Sequence, residues 1–252
     1  MVGPGPPAPA RRSVAASYCA RSGCARTVAC RSRCGRSFRP PHSPVRQAKR
    51  TTGHMGSTTS FDPLTRRFVA QFARPAELGP VNLRALSPFQ RALLVIDGTV
   101  TRFIEVYTLE PTTTVRIDQV RFHITEDHPW LDVKEGAEVG LRRVFIKGQH
   151  SGRLYVYAIA SVALDRIPPE VRRRLEVQGE SLGKVLNENR METRREILWY
   201  GKEQVADLPE AVAELSDGAF FSRAYRIIHN GEPIALINEK FPARIEEQPS
   251  PY

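Results

Sequence analysis

From Met55 onward the sequence contains no cysteine, which removes thiol catalysis and disulfide stapling from that region. All four cysteines, Cys19, Cys24, Cys30 and Cys34, fall in the first 54 residues. Their C-x4-C-x5-C-x3-C spacing lacks the C-x2-C knuckles of a zinc module. That segment also lacks acidic residues: residues 1–54 hold eleven Arg and Lys and no Asp or Glu. The net charge of +10 therefore sits there, because the remainder sets 26 basic against 27 acidic residues. A near-neutral body carries no basic footprint for DNA or RNA. No apolar run approaches the roughly 20 residues of a membrane span. The chain has no G-x-G-x-x-G, no P-loop and no G-x-S-x-G elbow, so nucleotide-binding and serine-hydrolase chemistry have no anchor. His123, His128, His150 and His229 are scattered without metal-ligand spacing.

What is present divides at Met55. Residues 1–54 are rich in Arg, Ser, Pro, Gly and Ala and poor in large apolar side chains. Such a composition buries too little surface to offset ordering entropy, so the segment is expected to be disordered. It reads as a basic tail, an organelle transit peptide, or an upstream extension of a chain that starts at Met55, the last being favoured because composition changes abruptly there. Residues 55–252 are expected to form one domain, folded from about Phe61.

Within it, Ser87-Pro88 is a helix-start signal, followed by Phe89, Ala92, Leu93 and Ile96 at helical spacing. Val100, Phe103, Ile104 and Tyr107 mark a second helix. Thr112–Ile124, Leu141–Lys147 and Leu154–Leu164 have β texture, the last two flanking a Gly148–Gly152 loop. Pro168-Pro169 opens a helix through Val171 and Leu175, and another begins at Ser181. Thr193–Tyr200 and Ala224–His229 read as strands, and Asn230-Gly231 pairs the latter with Pro233–Phe241 in a hairpin. Hairpin-linked strands with helices before and between them predict an α+β fold, an antiparallel sheet covered by helices. The run Arg172-Arg173-Arg174 reads as a solvated helix face, and Glu192, Arg194, Arg195 and Glu196 as an exposed edge.

Strand alternation supplies the candidate chemistry. Glu239 shares a face with Ala235, Ile237 and Phe241, and Arg142 shares one with Val144 and Ile146, while Arg143 points oppositely. A carboxylate on an apolar face is costly unless paired. An inward Arg and an inward Glu could form a structural ion pair, or an anion clamp beside a general acid/base.

Five blocks occur in one order: DGTVTRF from Asp97, LRRVFIKG from Leu141, PPEV from Pro168 with ESLGKVL from Glu180, METRRE from Met191, and AYRIIHNGEPIALINEKFP from Ala224. Their order and spacing resemble the chorismate pyruvate-lyase family, over roughly residues 80–245, and most closely its actinobacterial branch, whose product feeds secondary metabolism. The resemblance implies a six-stranded antiparallel sheet with helices over one face and a ligand enclosed beneath helical flaps. It implies a lyase converting chorismate to 4-hydroxybenzoate and pyruvate, without cofactor or metal, cytoplasmic, and free of nucleic-acid and membrane partners. It assigns Arg142 to the ring carboxylate, Glu239 to the hydroxyl end, and the backbone of Leu182 and Gly183 to ligand contact. Thr99 is expected in the binding site too, where the family's best-known members carry Met. Three rivals accompany this reading: a non-catalytic effector-sensing domain of the same fold, normally fused to a winged helix that residues 1–54 cannot form; a lyase for a related enolpyruvyl acid; and a basic RNA-binding protein, which rests only on the tail.

Overall fold

The computed structural model describes residues 64–178 and 180–245. The basic segment 1–54, its cysteines and the start at Met55 lie outside the described residues. Six strands form one antiparallel sheet: β1 (Thr112–His123), β2 (Glu138–Gly148), β3 (Leu154–Ala163), β4 (Arg194–Gln204), β5 (Ala219–His229) and β6 (Glu232–Pro242). Their spatial order is β1-β2-β3-β6-β5-β4. One meander, β1 to β3, is zipped to a second, β4 to β6, along the β3–β6 seam. The β5–β6 turn uses Asn230 at φ 50° and Gly231 at φ 84°, the two positive φ values a type I′ hairpin requires.

The helices are α1 (Pro88–Val95), α2 (Val100–Thr108), α3 (Pro169–Glu176), α4 (Leu182–Glu188) and the single-turn α5 (Glu210–Ala213). At α1, Ser87 Oγ accepts from Gln90 N at 3.1 Å while Gln90 Oε1 accepts from Ser87 N at 3.0 Å, a reciprocal capping box. Helices this short are marginal alone, so tertiary packing decides them. Leu93 and Leu94 of α1, Ile104 of α2, Val171 of α3 and Val185 of α4 join Ala158, Tyr225 and Ile237 of the sheet in one buried cluster. Four helices therefore cover one face. Moreover, α3 and α4 belong to the connection from β3 to the edge strand β4, which passes over β6 and β5 on that same face.

The opposite face carries two smaller clusters, one around Leu131, Leu198, Trp199 and Leu236, the other around Phe145, Tyr157, Val212 and Phe220. Between them lie the ion pairs Arg143–Asp118 and Lys240–Glu203, the latter at 2.7 Å. Among the described residues no helix is long and apolar enough to cross a membrane.

Three features differ from the sequence expectation. β5 begins at Ala219, five residues before Ala224, and β4 runs on to Gln204. All three arginines of the Arg172–Arg174 run are paired, and only Arg173, bonded to Glu170 at 2.8 Å, is on the exposed face. Arg172 pairs with Glu138 at 2.7 Å, and Arg174 reaches Glu180 at 2.7 Å and also Glu188. The reason is topology: α4 turns back along α3, so Glu180 and Glu188 meet Arg174, while Arg172 faces Glu138 at the start of β2. Hydrogen bonds from Arg174 and Lys184 hold the Glu180 carboxyl down to about 2. Finally, Glu110 at the α2–β1 junction is almost fully buried. Its carboxylate accepts from His150 N (2.8 Å), Ser151 N, Ser151 Oγ (2.9 Å) and Tyr155 OH (2.9 Å), tying the β2–β3 loop to the end of α2. Gly148 is required beneath it, since a Cβ there would stand 2.3 Å from Glu110 Oε2.

Candidate active site

Cross-strand register fixes which side chains share the helix-covered face. One row runs Gln119, Arg142, Ala160, Ile237, Tyr225 from β1 to β5; the next runs Val144, Ala158, Glu239, Arg223. Arg142 and Glu239 thus lie on one face as alternation predicts, two strands and two residues apart. That offset separates their Cα atoms by about 12 Å. The sheet between them is floored on β3 by Ala158 and Ala160, the smallest side chains that keep a strand regular.

Arg142 is 5% exposed, and its Nη1 donates to Leu175 O, in the last turn of α3, at 3.2 Å. A small cavity beside it is lined by Gln119, Gly140, Val162, Ile167 and Arg172. Burial, reinforced by the nearby Arg116, pushes the Arg142 guanidinium down to about 10. It remains cationic at neutral pH, in surroundings that disfavour its charge.

At the other end, Glu239 Oε2 accepts from Arg223 Nε at 2.9 Å and Oε1 accepts from Tyr225 OH at 2.9 Å. The ion pair open on sequence grounds therefore exists, but its cation is Arg223 on the neighbouring strand, not Arg142. Arg223 is 1% exposed and is itself held by Ile96 O (2.7 Å) and Leu94 O (3.3 Å) at the end of α1. Burial first, and then the adjacent Glu239, push the Tyr225 phenol up, so it stays a neutral donor. Arg223 was missed because the strand was started one residue after it. Extending the alternation back from Tyr225 reaches Arg223 and then Phe221, a cation on an apolar face.

The remaining predicted residues occupy different settings. Leu182 is buried in the main core and opens α4. Gly183 follows it with open space where a Cβ would stand. Thr99 caps the start of α2 without a side-chain bond to the helix and is exposed. Its loop nevertheless adjoins the Glu239 end, because Ile96 O is bonded to Arg223 and Asp97 O to Arg195 Nη1 at 2.9 Å. Among the described residues no group of three or more His, Cys, Asp or Glu could hold a metal ion.

Residues 94–248, more than half of the chain, match the family model described as Rv2949c-like chorismate pyruvate-lyase. The chain belongs to that family. A chorismate pyruvate-lyase of Mycobacterium tuberculosis is 30% identical over 174 residues, covering 65% of this chain and 84% of the relative. That of Mycobacterium leprae is 28% identical over 166 residues, covering 64% and 77%. Among solved structures, the effector domain of PhnF from Mycobacterium smegmatis aligns with a TM-score of 0.45 at 13% identity, over 66% of this chain and 92% of that domain. This last likeness is too loose to bear on function. In this member of the chorismate pyruvate-lyase family, the Arg142 and Glu239 ends of the helix-covered face coincide with the strand blocks LRRVFIKG and INEKFP.

Proposed function

We propose that this chain is a chorismate pyruvate-lyase, converting chorismate to 4-hydroxybenzoate and pyruvate. The observation that carries the proposal is a buried cation and a buried, hydrogen-bonded carboxylate at opposite ends of one helix-covered face, floored by alanines, in a member of that family. Chorismate is matched to such a face: a cyclohexadiene with a carboxylate at C1 and, across the ring, a hydroxyl at C4 beside an enolpyruvyl ether at C3. Arg142 takes the ring carboxylate, whose charge offsets the desolvation of the guanidinium. Glu239 receives the C4 hydroxyl and stands as proton acceptor near C4, with Tyr225 holding its other oxygen. The backbone of Leu182 and Gly183 meets the ring from above, and Thr99 shapes the Glu239 end.

The step is an elimination. The C4 proton leaves to Glu239, its electron pair forms the C3–C4 double bond, and the C3–O bond breaks with its pair on oxygen. The ring becomes aromatic, which supplies the driving force without any change in redox state overall. The released enolate of pyruvate takes a proton on carbon. Cover by the α3–α4 connection excludes water and strengthens both polar contacts.

The test is direct: full-length protein incubated with chorismate, with both products followed. Equimolar 4-hydroxybenzoate and pyruvate are expected. Tight binding of chorismate with no product above the uncatalysed rate would refute the lyase and leave a sensing domain.

A further inference from the structure

Arg223 holds a donor that the structure does not use. Its Nε serves Glu239 and its Nη1 serves the carbonyls of Leu94 and Ile96, but Nη2 is buried with no hydrogen-bond partner among the described residues. A buried N–H left unmade costs heavily, and more for a charged group. The guanidinium is held by those three oxygens, by the Tyr225 ring 5.0 Å from its centre and by the Phe241 ring at 6.0 Å. In a guanidinium, Nε–H and one Nη2–H project from the same edge, the fork that grips oxyanions. That edge here faces Glu239, so the unused donor lies on the Glu239 side of the guanidinium.

We infer that Arg223 is a catalytic residue that binds the departing enolpyruvyl group through Nη2. The inference rests on the lyase reading and deepens it. With Glu239 at C4, the neighbouring C3 ether oxygen and the enolpyruvyl carboxylate fall on the same side of the site. As the C3–O bond breaks, its electron pair settles on that oxygen, and a fixed cationic donor there stabilises the enolate. The proton released from C4 resides on Glu239, so Arg223 only holds charge and transfers no proton. One arginine thus orients the base and receives the leaving group, tasks that an ammonium, as a point charge, cannot perform together.

Two measurements test this. Arg223→Lys keeps a cation beside Glu239 but loses the fork. Affinity for 4-hydroxybenzoate, which lacks the enolpyruvyl group, is expected to stay within about threefold, whereas kcat for chorismate falls by about 10²–10³, the usual effect of losing one oxyanion donor. Equal loss of product affinity and turnover, or unchanged turnover, would overturn the assignment. Should the variant fail to fold, the wild-type protein decides alone. It should bind 3-carboxymethoxy-4-hydroxybenzoate at least about tenfold more tightly than 4-hydroxybenzoate, the lower end for a charge-assisted hydrogen bond. Weaker or equal binding sinks the proposal. A wild type that shows this preference yet forms no pyruvate would retain Arg223 as a carboxylate-binding group and discard only the lyase reading.

Discussion

Arg142 and Arg143 are consecutive on β2 and meet the two faces of the sheet on opposite terms. Arg143 donates from Nε to Asp118 Oδ1 at 2.9 Å and from Nη2 to Asp118 Oδ2, and this side-chain pairing raises its guanidinium above the ordinary value. Arg142 is displaced the other way, by burial and by the neighbouring Arg116. The same chemical group is thus locked to an aspartate on one face and, on the other, buried where its charge is disfavoured. Lys240 and Glu203 add a second ion pair on Arg143's face, with the Lys240 ammonium pushed down by burial, while Glu239 and Arg223 bring ionic chemistry to the other.

The largest expected break in this contrast comes from Glu239→Gln. The amide keeps the shape and one acceptor but cannot take a proton, so kcat should fall by roughly 10²–10⁴ while 4-hydroxybenzoate binding changes little. Steady-state kinetics beside product titration checks this, and an equal loss in both would reduce Glu239 to a binding group. Next comes the arginine pair itself. Arg142→Ala should weaken product binding by about 10–150-fold, the range for a lost charge-assisted bond. Arg143→Ala should leave binding and turnover unchanged and cost stability no more than about 1 kcal/mol, as for a partly exposed ion pair. Equal damage from the two variants, read by calorimetric titration and thermal unfolding, would mean that the face assignment does not govern function.

How far the sequence reaches follows the same division. Local signals were sufficient where a local rule applies: Ser87-Pro88 caps α1, Asn230-Gly231 turns β5 into β6, and alternation sends Arg142 and Arg143 to opposite faces. The family resemblance, carried by blocks from Asp97 to Pro242, is matched by the family model over residues 94–248. The start of β5 was hidden because Phe220 and Phe221 are both buried, on opposite faces, which erases alternation at that end. With it went Arg223. Glu110 left no signal at all, since its partners lie about 40 residues onward in a loop whose fold depends on that carboxylate. The ion pairs of Arg172 and Arg174 were equally invisible, because a charge run looks the same whether water, a strand or a neighbouring helix faces it.

The seam between β3 and β6 has a further consequence for assembly and persistence. Each meander closes mostly by short-range pairing, but Tyr157 and Lys240, partners across the seam, are roughly 80 residues apart in sequence. Pairings of such long range are entropically late, so the seam is expected to form last on folding. Arg142 stands on one meander and Glu239 with Arg223 on the other, so a molecule held at both ends bridges the joint. It would bind only the zipped chain and therefore resist its parting, in proportion to its concentration over its dissociation constant. With ligand present, backbone amides of Ala158 and Ala160 should exchange with solvent more slowly, while those on the β2–β3 loop beneath Glu110 keep their unliganded rates. On the proposed lyase reading, a substrate pool would act as a clasp on the finished fold, prolonging the life of the protein that consumes it.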